Sequence, residues 1–350
     1  MRLSRLSRAF IVALVVASSP AYIAPGVAAA DTSIEADDVG GDFGGDLTGV
    51  DDLDSAESTP DVAADVPDVP RDTSSSTVVD RVLNASNKQV VLKFTVRFVA
   101  DQTRFLYGSY EATNRSTRPV LQGSRIVCDG PGSALLTSPN STVNHVGSAA
   151  GKSTIKVHAL FSVKTTGDYV CSLRGWAAQS INGVSDPTDQ LLNVVAGKNT
   201  KLTLSGTDHT GGLTWGDAGE NTVAAGTSEL ILRKNWTAAK WASSVSFYAD
   251  VEVTNLDRRR NGKVTVDLIA VQLKGRTACA TAKTKTVTVT TAVSYAMHHR
   301  KVYLHIKGMG VDTRCDDVFA VKVRVAPTSA ADFQVENASY TRAIALNATH

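Results

Sequence analysis

The sequence predicts an all-β protein made of two tandem β-sandwiches, each closed by one disulfide. Three observations carry this. From Val78 onward, apolar and polar residues alternate with period two in short runs separated by Gly, Asn, Pro and Ser clusters. No run keeps the 3.6-residue period of a long amphipathic helix. The two halves also repeat the same motifs in the same order. Short strands bounded by turn residues assemble into sandwiches or barrels rather than into parallel sheets with crossover helices.

Residues 1–30 carry Arg2, Arg5 and Arg8, then the apolar run AFIVALVVA, then small residues through Ala30. This predicts a secretory signal with Asp31 as the mature N-terminus, and its Arg- and Ala-rich composition points to a bacterial exporter. The apolar run is too short to anchor a chain in a bilayer, and no later stretch approaches about twenty apolar residues, so no transmembrane anchor is predicted. Four cysteines, an even number, fit an oxidising extracellular compartment.

Residues 31–76 read as a disordered acidic arm rich in Asp, Gly, Ser and Pro. Between 31 and 72, 14 acidic residues stand against Arg71 alone, a formal charge of −13. Such a segment buries too little to offset its ordering entropy. From Thr73 onward the body holds 32 basic and 20 acidic residues, +12, which the overall +2 conceals. A cationic body attracts polyanions, and salt screens the attraction. The arm is then either a solvated spacer or a tethered competitor for the body's own ligand.

The first sandwich is placed at 77–206. In KQVVLKFTVRFV, residues 88–99, Leu92, Phe94, Val96 and Phe98 share one face while Lys93, Thr95 and Arg97 take the other. Ser153–Val163 turns Ile155, Val157, Ala159 and Phe161 inward, and 190–196 and 200–204 supply further strands. A Gly-rich linker is expected at 207–226. The second sandwich, 227–350, follows with strands at 244–254, 263–273, 284–293, 300–306 and 318–325.

The repeat is anchored by YEATN, ending at Asn114, and VEVTN, ending at Asn255. Each precedes a basic turn, RSTR or LDRRRNGK, and then a strand leading to a first cysteine. After a polar loop, a Val- and Ile-rich strand and the second cysteine, NVVAGKNTKLTL (193–204) parallels VENASYTRAIAL (335–346). Duplication therefore selects Cys128–Cys171 and Cys279–Cys315 from the three connectivities that four cysteines allow. The cysteines stand singly, without the close pairs of zinc sites.

Thr165–Cys171, TTGDYVC, resembles the D-x-G-x-Y-x-C stretch of immunoglobulin domains, with Gly167, Tyr169 and Cys171 in place. The resemblance implies immunoglobulin-like sandwiches, a tyrosine whose hydroxyl bonds back to upstream backbone, and a cysteine that crosses the core to the opposite sheet. No tryptophan lies between Cys128 and Cys171, and Cys315 has no tyrosine two residues before it.

Catalytic chemistry has little support. His298, His299 and His305 cluster in sequence, but in a strand His299 and His305 stand roughly 20 Å apart on the outward face, so neither a metal site nor a cofactor is predicted. His145 is placed in a loop without neighbours. There is no GxSxG, and paired cysteines are not nucleophiles. Asp250 with Glu252, and Asp316 with Asp317, read as solvent-face and strand-end residues.

Binding is better supported. The turn 257–263, DRRRNGK, gathers Arg258, Arg259, Arg260 and Lys263 at a hairpin tip, although charged tips also serve simply to keep sheet edges apart. Trp215, in a Gly/Asp-rich stretch, is the tryptophan expected to be exposed, whereas Trp236 and Trp241 are expected to pack in the core. N-x-S/T sequons at Asn84, Asn114, Asn140, Asn235, Asn337 and Asn347 matter only in a glycosylating host. The sequence thus predicts a secreted, non-enzymatic protein that binds an extracellular protein or an anionic envelope polymer through basic turns. Nucleic acid is not the expected partner. Two alternatives are a carbohydrate-binding module centred on Trp215 and a secreted hydrolase with a dispersed site.

Overall fold

In this computed structural model, residues 76–77, 81–83, 89–114, 119–138, 142–147, 151–181, 184–186, 192–195, 201–204, 212–217 and 219–348 are described. The predicted signal peptide and acidic arm lie outside them. The first sandwich contains β1 (Ser76–Thr77), β2 (Arg81–Leu83), β3 (Gln89–Phe98), β4 (Thr103–Asn114), β5 (Val120–Asp129), β6 (Leu135–Thr137), β7 (Thr142–Val146), β8 (Lys152–Ser162), β9 (Gly167–Ile181), β10 (Val184–Asp186), β11 (Leu192–Val195) and β12 (Lys201–Leu204). The second contains β13 (Gly212–Trp215), β14 (Asn221–Val223), β15 (Glu229–Thr237), β16 (Ser244–Asn255), β17 (Gly262–Lys274), β18 (Thr277–Ala278), β19 (Lys285–Val293), β20 (His299–Gly310), β21 (Val318–Pro327), β22 (Phe333–Val335) and β23 (Arg342–Ala348). No helix among the described residues is long and apolar enough to cross a membrane.

All pairing is antiparallel. In the first sandwich β3, β9 and β5 run side by side, with β7 on the outer edge of β5. The facing sheet centres on β4, flanked by β8 on one side and by β11 and β12 end to end on the other. The second sandwich repeats this with β15, β21, β17 and β19 in one sheet and β20, β16, β22 and β23 in the other. Alternation in β3 buries Leu92, Phe94, Val96 and Phe98 as period two requires. Each sandwich has its own apolar core, and both belong to one compact unit, Asp65–His350.

The repeat is visible at atomic detail in its two asparagines. Asn114 Nδ2 donates to Val146 O at 3.2 Å and Asn255 Nδ2 to Val293 O at 3.0 Å. Their backbone N–H groups donate to Gly151 O at 2.8 Å and His298 O at 2.9 Å. Both side chains are buried, so each ties the end of a central strand to the two hairpin arms beside it.

The ladders correct the end of the sequence alignment by one residue. Leu192 lies opposite Asn114 and Phe333 opposite Asn255, while Lys201 and Arg342 face the equivalent Ser109 and Asp250. Val194, not Asn193, therefore corresponds to Val335. Letter matching tolerates such a slip; a sheet does not, because one residue exchanges the buried and outward faces.

The predicted linker is also corrected. Gly212–Trp215 pairs with Ala343–Leu346 and Asn221–Val223 with Phe333–Val335, so these two stretches already belong to the second sandwich. Gly212 and Gly216 mark close approach rather than flexibility. A Cβ at Gly212 would meet Ala345 O at 2.8 Å, and one at Gly216 would meet Thr341 O at 2.7 Å.

Both predicted disulfides form, but their placement departs from the reasoning that selected them. Cys128 and Cys171 are direct cross-strand neighbours on β5 and β9, so their bond lies within one sheet instead of crossing the core. Their ladder equivalents in the second sandwich are Ala270 and Val321. Cys279 and Cys315 instead join the loops beyond β18 and before β21. The tyrosine corner is present: Tyr169 donates its hydroxyl to Thr165 O at 2.9 Å.

Candidate functional site

The basic turn grows from the buried end of β16. Asn255 Oδ1 accepts from Asp257 N at 2.9 Å, and Nδ2 donates to Arg260 O at 2.9 Å as well as to Val293 O. Asp257 Oδ1 then accepts from the backbones of Arg259 at 2.8 Å and Arg260 at 3.1 Å. Gly262 lies so close to Phe333 that a Cβ would come within 2.6 Å of the ring. The backbone of the turn is thus fixed from beneath while the side chains of Leu256, Arg258, Arg259, Arg260 and Lys263 remain exposed.

Its charge is largely uncompensated. Arg260 has Asp257 at 3.8 Å, but Arg258 and Arg259 have no ion pair among the described residues. Lys263 stands at the base, its N–H donating to Ser329 Oγ at 2.8 Å. Tyr295, 52% exposed, flanks the tip and donates its N–H to Asn261 Oδ1 at 3.3 Å. The matching RSTR turn of the first sandwich, 115–118, lies outside the described residues.

Beside this turn the two sandwiches meet along a buried polar seam that sequence reasoning missed. The ladders make Tyr107 equivalent to Tyr248, His158 to His305, and Lys156 to Tyr303. These equivalent residues meet across the seam. His158 lies 5.0 Å from Tyr248, centroid to centroid, and 5.1 Å from Tyr107; His305 stacks on Tyr248 at 3.9 Å; Lys156 N donates to Tyr303 OH at 2.9 Å. The same face of each copy packs on the other, as in a two-fold dimer drawn from one chain. Phe105, Leu160, Ile344 and Leu346 complete the apolar part.

Asp250 and Glu252 are accordingly not solvent-face residues: they are 2% and 1% exposed. The alternation was correct, but the outward face is covered: His158 of the first sandwich meets Asp250, while Thr341, Glu336 and Lys301 of the second meet Glu252. Asp250 Oδ1 lies 2.7 Å from His158 Nδ1. Glu252 Oε2 lies 3.7 Å from the buried Lys301 ammonium, which also donates to Tyr340 O. Burial pushes Lys301 down in pKa, and Glu252, Asp250 and Glu336 pull it back up.

At one end of the seam His145 is not isolated. It belongs to β7, with its ring 5.0 Å from His298 and 5.4 Å from His299 of the other sandwich, and its Nδ1 accepts His299 N–H at 3.3 Å. Burial, helped by both neighbouring imidazoles, lowers His145 to about 3. His298 is lowered by burial, His299 and Arg258. Burial, His158 and Lys307 lower His305 to about 4. No group of three or more His, Cys, Asp or Glu among the described residues is arranged to hold a metal ion. The signal for this seam was the recurrence of Tyr and His on matched outward positions of the duplicated strands.

The tryptophans exchange roles. Trp215 sits in β13, half-buried against the second core, its indole N–H enclosed without an acceptor among the described residues. Trp236 is buried against Phe247 and Phe319. Trp241 is the exposed ring, at 44%. Two sequons are closed in the folded chain, since Asn114 and Asn347 are buried and Asn347 Oδ1 accepts from Ala239 N.

No protein-family model and no curated protein matches the chain. Among solved structures it is similar to the N-terminal CBM22-1-CBM22-2 tandem domain of Paenibacillus barcinonensis Xyn10C, at 8% identity and a TM-score of 0.24 over 79% of this chain and 91% of that one. It is also similar to infectious bursal disease virus Gx strain, at 8% identity and 0.24 over 81% and 79%. Paenibacillus xanthan lyase matches at 10% identity and 0.20 over 79% of this chain and 25% of that one. Likeness at this level carries no argument about kinship or ligand.

Proposed function

We propose that the chain is an exported binding protein without catalytic activity, whose second sandwich engages an anionic polymer of the cell envelope through the turn Leu256–Lys263. The observation that carries this is the fixed turn itself. Asn255 and Asp257 hold its backbone, while Arg258 and Arg259 project without carboxylate partners among the described residues. A preorganised cationic tip gives up little conformational entropy on binding, and guanidinium forks match phosphate and carboxylate oxygens. Tyr295 and Leu256 add apolar surface for a sugar or polymer backbone.

Binding of the full chain to polyphosphate and to polygalacturonate, measured across a salt series, tests the proposal. Affinity should fall steeply with salt. Replacing Arg258, Arg259 and Arg260 together by Gln should slow association more than it speeds dissociation. Affinity indifferent to salt, or an unchanged triple variant, would refute this role for the turn. A second reading has the exposed Trp241 as its support: a neutral glycan stacked on that ring. A Trp241→Ala variant that loses binding to an uncharged polysaccharide would favour it.

A further inference from the structure

Five of the seven histidines, His145, His158, His298, His299 and His305, line the seam; the other two, His209 and His350, lie outside the described residues. We propose that the seam is a proton-operated joint, in which mild acid charges His145, His298 and His305 and separates the sandwiches while each keeps its own fold.

The geometry leaves added protons poorly compensated. His145, His298 and His299 stand 4.5 to 5.4 Å apart by ring centroid, so a proton on one faces the other two. The guanidinium of Arg258 acts on His298 with the same sign. Among the described residues the carboxylates near this end are Glu252 and Glu336. Glu252 Oε2 faces Lys301 at 3.7 Å and its Oε1 lies 3.4 Å from His299 Nδ1, so His299 has a carboxylate while no ion pair is formed by His145 or His298 among the described residues. Glu336 accepts from Thr254 Oγ1 at 2.7 Å. In the middle, His305 Nε2 is buried without a partner among the described residues, with Tyr248, His158 and Lys307 around it. Asp250 meets His158 through Oδ1, its Oδ2 being buried without a hydrogen-bond partner among the described residues, and Tyr107, Tyr248 and Tyr303 enclose His158. Lys156, over the Tyr303 ring at 5.5 Å, adds a further cation.

The direction follows from linkage. In the closed seam His145 is held at about 3 and His305 at about 4, and His298 is lowered. Freed to water, imidazoles return toward about 6.5. The open form therefore binds more protons below that value, and closure weakens as pH falls from about 6.5 toward about 4. Glu336 works in the opposite sense, since burial raises its carboxyl and the closed form favours its proton; it is one group against three. Separate cores and separate disulfides allow the sandwiches to part without unfolding.

Amide hydrogen exchange of the full chain, corrected for intrinsic rates and followed with far-UV circular dichroism from about pH 7.5 to about pH 4.5, tests this. Peptides from β8 and β20 should lose protection reversibly while those from β9 and β21 and the strand signal stay unchanged. In a His145→Asn/His305→Phe variant, Asn can still accept His299 N–H and Phe can still stack on Tyr248. Its midpoint should fall by about one pH unit. Each single substitution should move the midpoint part of the way, so the test survives if the double variant does not fold. Protection that persists to the lowest pH, strand signal lost at the same pH as protection, or a variant with the original midpoint would each overturn the proposal.

Discussion

His158 Nδ1 and Asp250 Oδ1 lie 2.7 Å apart, one from each sandwich, with both side chains almost wholly buried. The first sandwich has Ser109 where the second has Asp250, so this His–Asp bond is not repeated by the equivalent pair, His305 and Ser109. His158→Ala strands a buried carboxylate and should cost about 3 kcal/mol in urea unfolding. Asp250→Ser imports the residue of the first copy, strands no charge and should cost about 1 kcal/mol. A double-mutant cycle on the pair showing no coupling would place the joint's strength elsewhere.

Tyr169→Phe should lower the stability of the first sandwich by about 1 kcal/mol, the worth of the hydroxyl bond to Thr165 O. The ring itself has a precedent inside the molecule: the ladder equivalent of Tyr169 is Phe319, fully buried in the second core. Polyanion binding should be unchanged, which a titration alongside the melt would check.

The two anchoring asparagines give a matched pair. Asn255→Ala removes the side-chain bonds to Arg260 O, Val293 O and Asp257 N–H, and should cost about 2 kcal/mol while weakening polyanion binding by loosening the turn. Asn114→Ala removes the corresponding tie to Val146 in the first sandwich and should cost stability with no effect on binding to the second-sandwich turn. Equal loss of binding in both variants would show that the turn is not the site.

How far the fold was legible follows from what period two encodes. Alternation in β3, β8 and β20 identifies which residues share a face, and the Asn114 and Asn255 motifs identify the repeat. Alternation does not say what covers the other face. Asp250, Glu252 and Lys301 look solvent-facing by alternation, but His158 of the other copy meets Asp250, and the segment carrying Tyr340 and Thr341 meets Lys301 and Glu252. The basic turn was legible because its chemistry is local: Asn255, Asp257 and Gly262 sit within a few residues of the arginines they support. The histidine group was not, because His145 joins His298 and His299 across 154 residues of sequence. The disulfides were paired correctly although their positions are not equivalent, since duplication and proximity favour the same connectivity here.

Cys128→Ala with Cys171→Val copies into the first sandwich the pair that the second carries at Ala270 and Val321. The side chains then remain apolar and buried, so the loss isolates the cross-link. With the cysteines separated by 43 positions in sequence, the chain-entropy account predicts a loss of about 4 kcal/mol. A fall in the first sandwich's melting temperature without a change in the second's would confirm that the bond acts locally.

Lys301 offers the sharpest separation of specificity from stability. Its ammonium is wholly buried, 3.7 Å from Glu252 Oε2. Lys301→Met alone leaves that carboxylate enclosed without its cation and should cost about 3 kcal/mol. Adding Glu252→Leu removes the stranded charge, and the double variant should recover most of the loss, because well-packed apolar groups often match a buried ion pair. The first copy already manages without this pair: Thr154 stands where the second has Lys301, and Glu111, where the second has Glu252, is partly exposed and lies 3.6 Å from Lys152. If the double variant is as stable as the parent but its seam peptides exchange faster, the ion pair serves to fix how the two faces register. If the double variant is no more stable than Lys301→Met alone, the pair is a net source of stability instead.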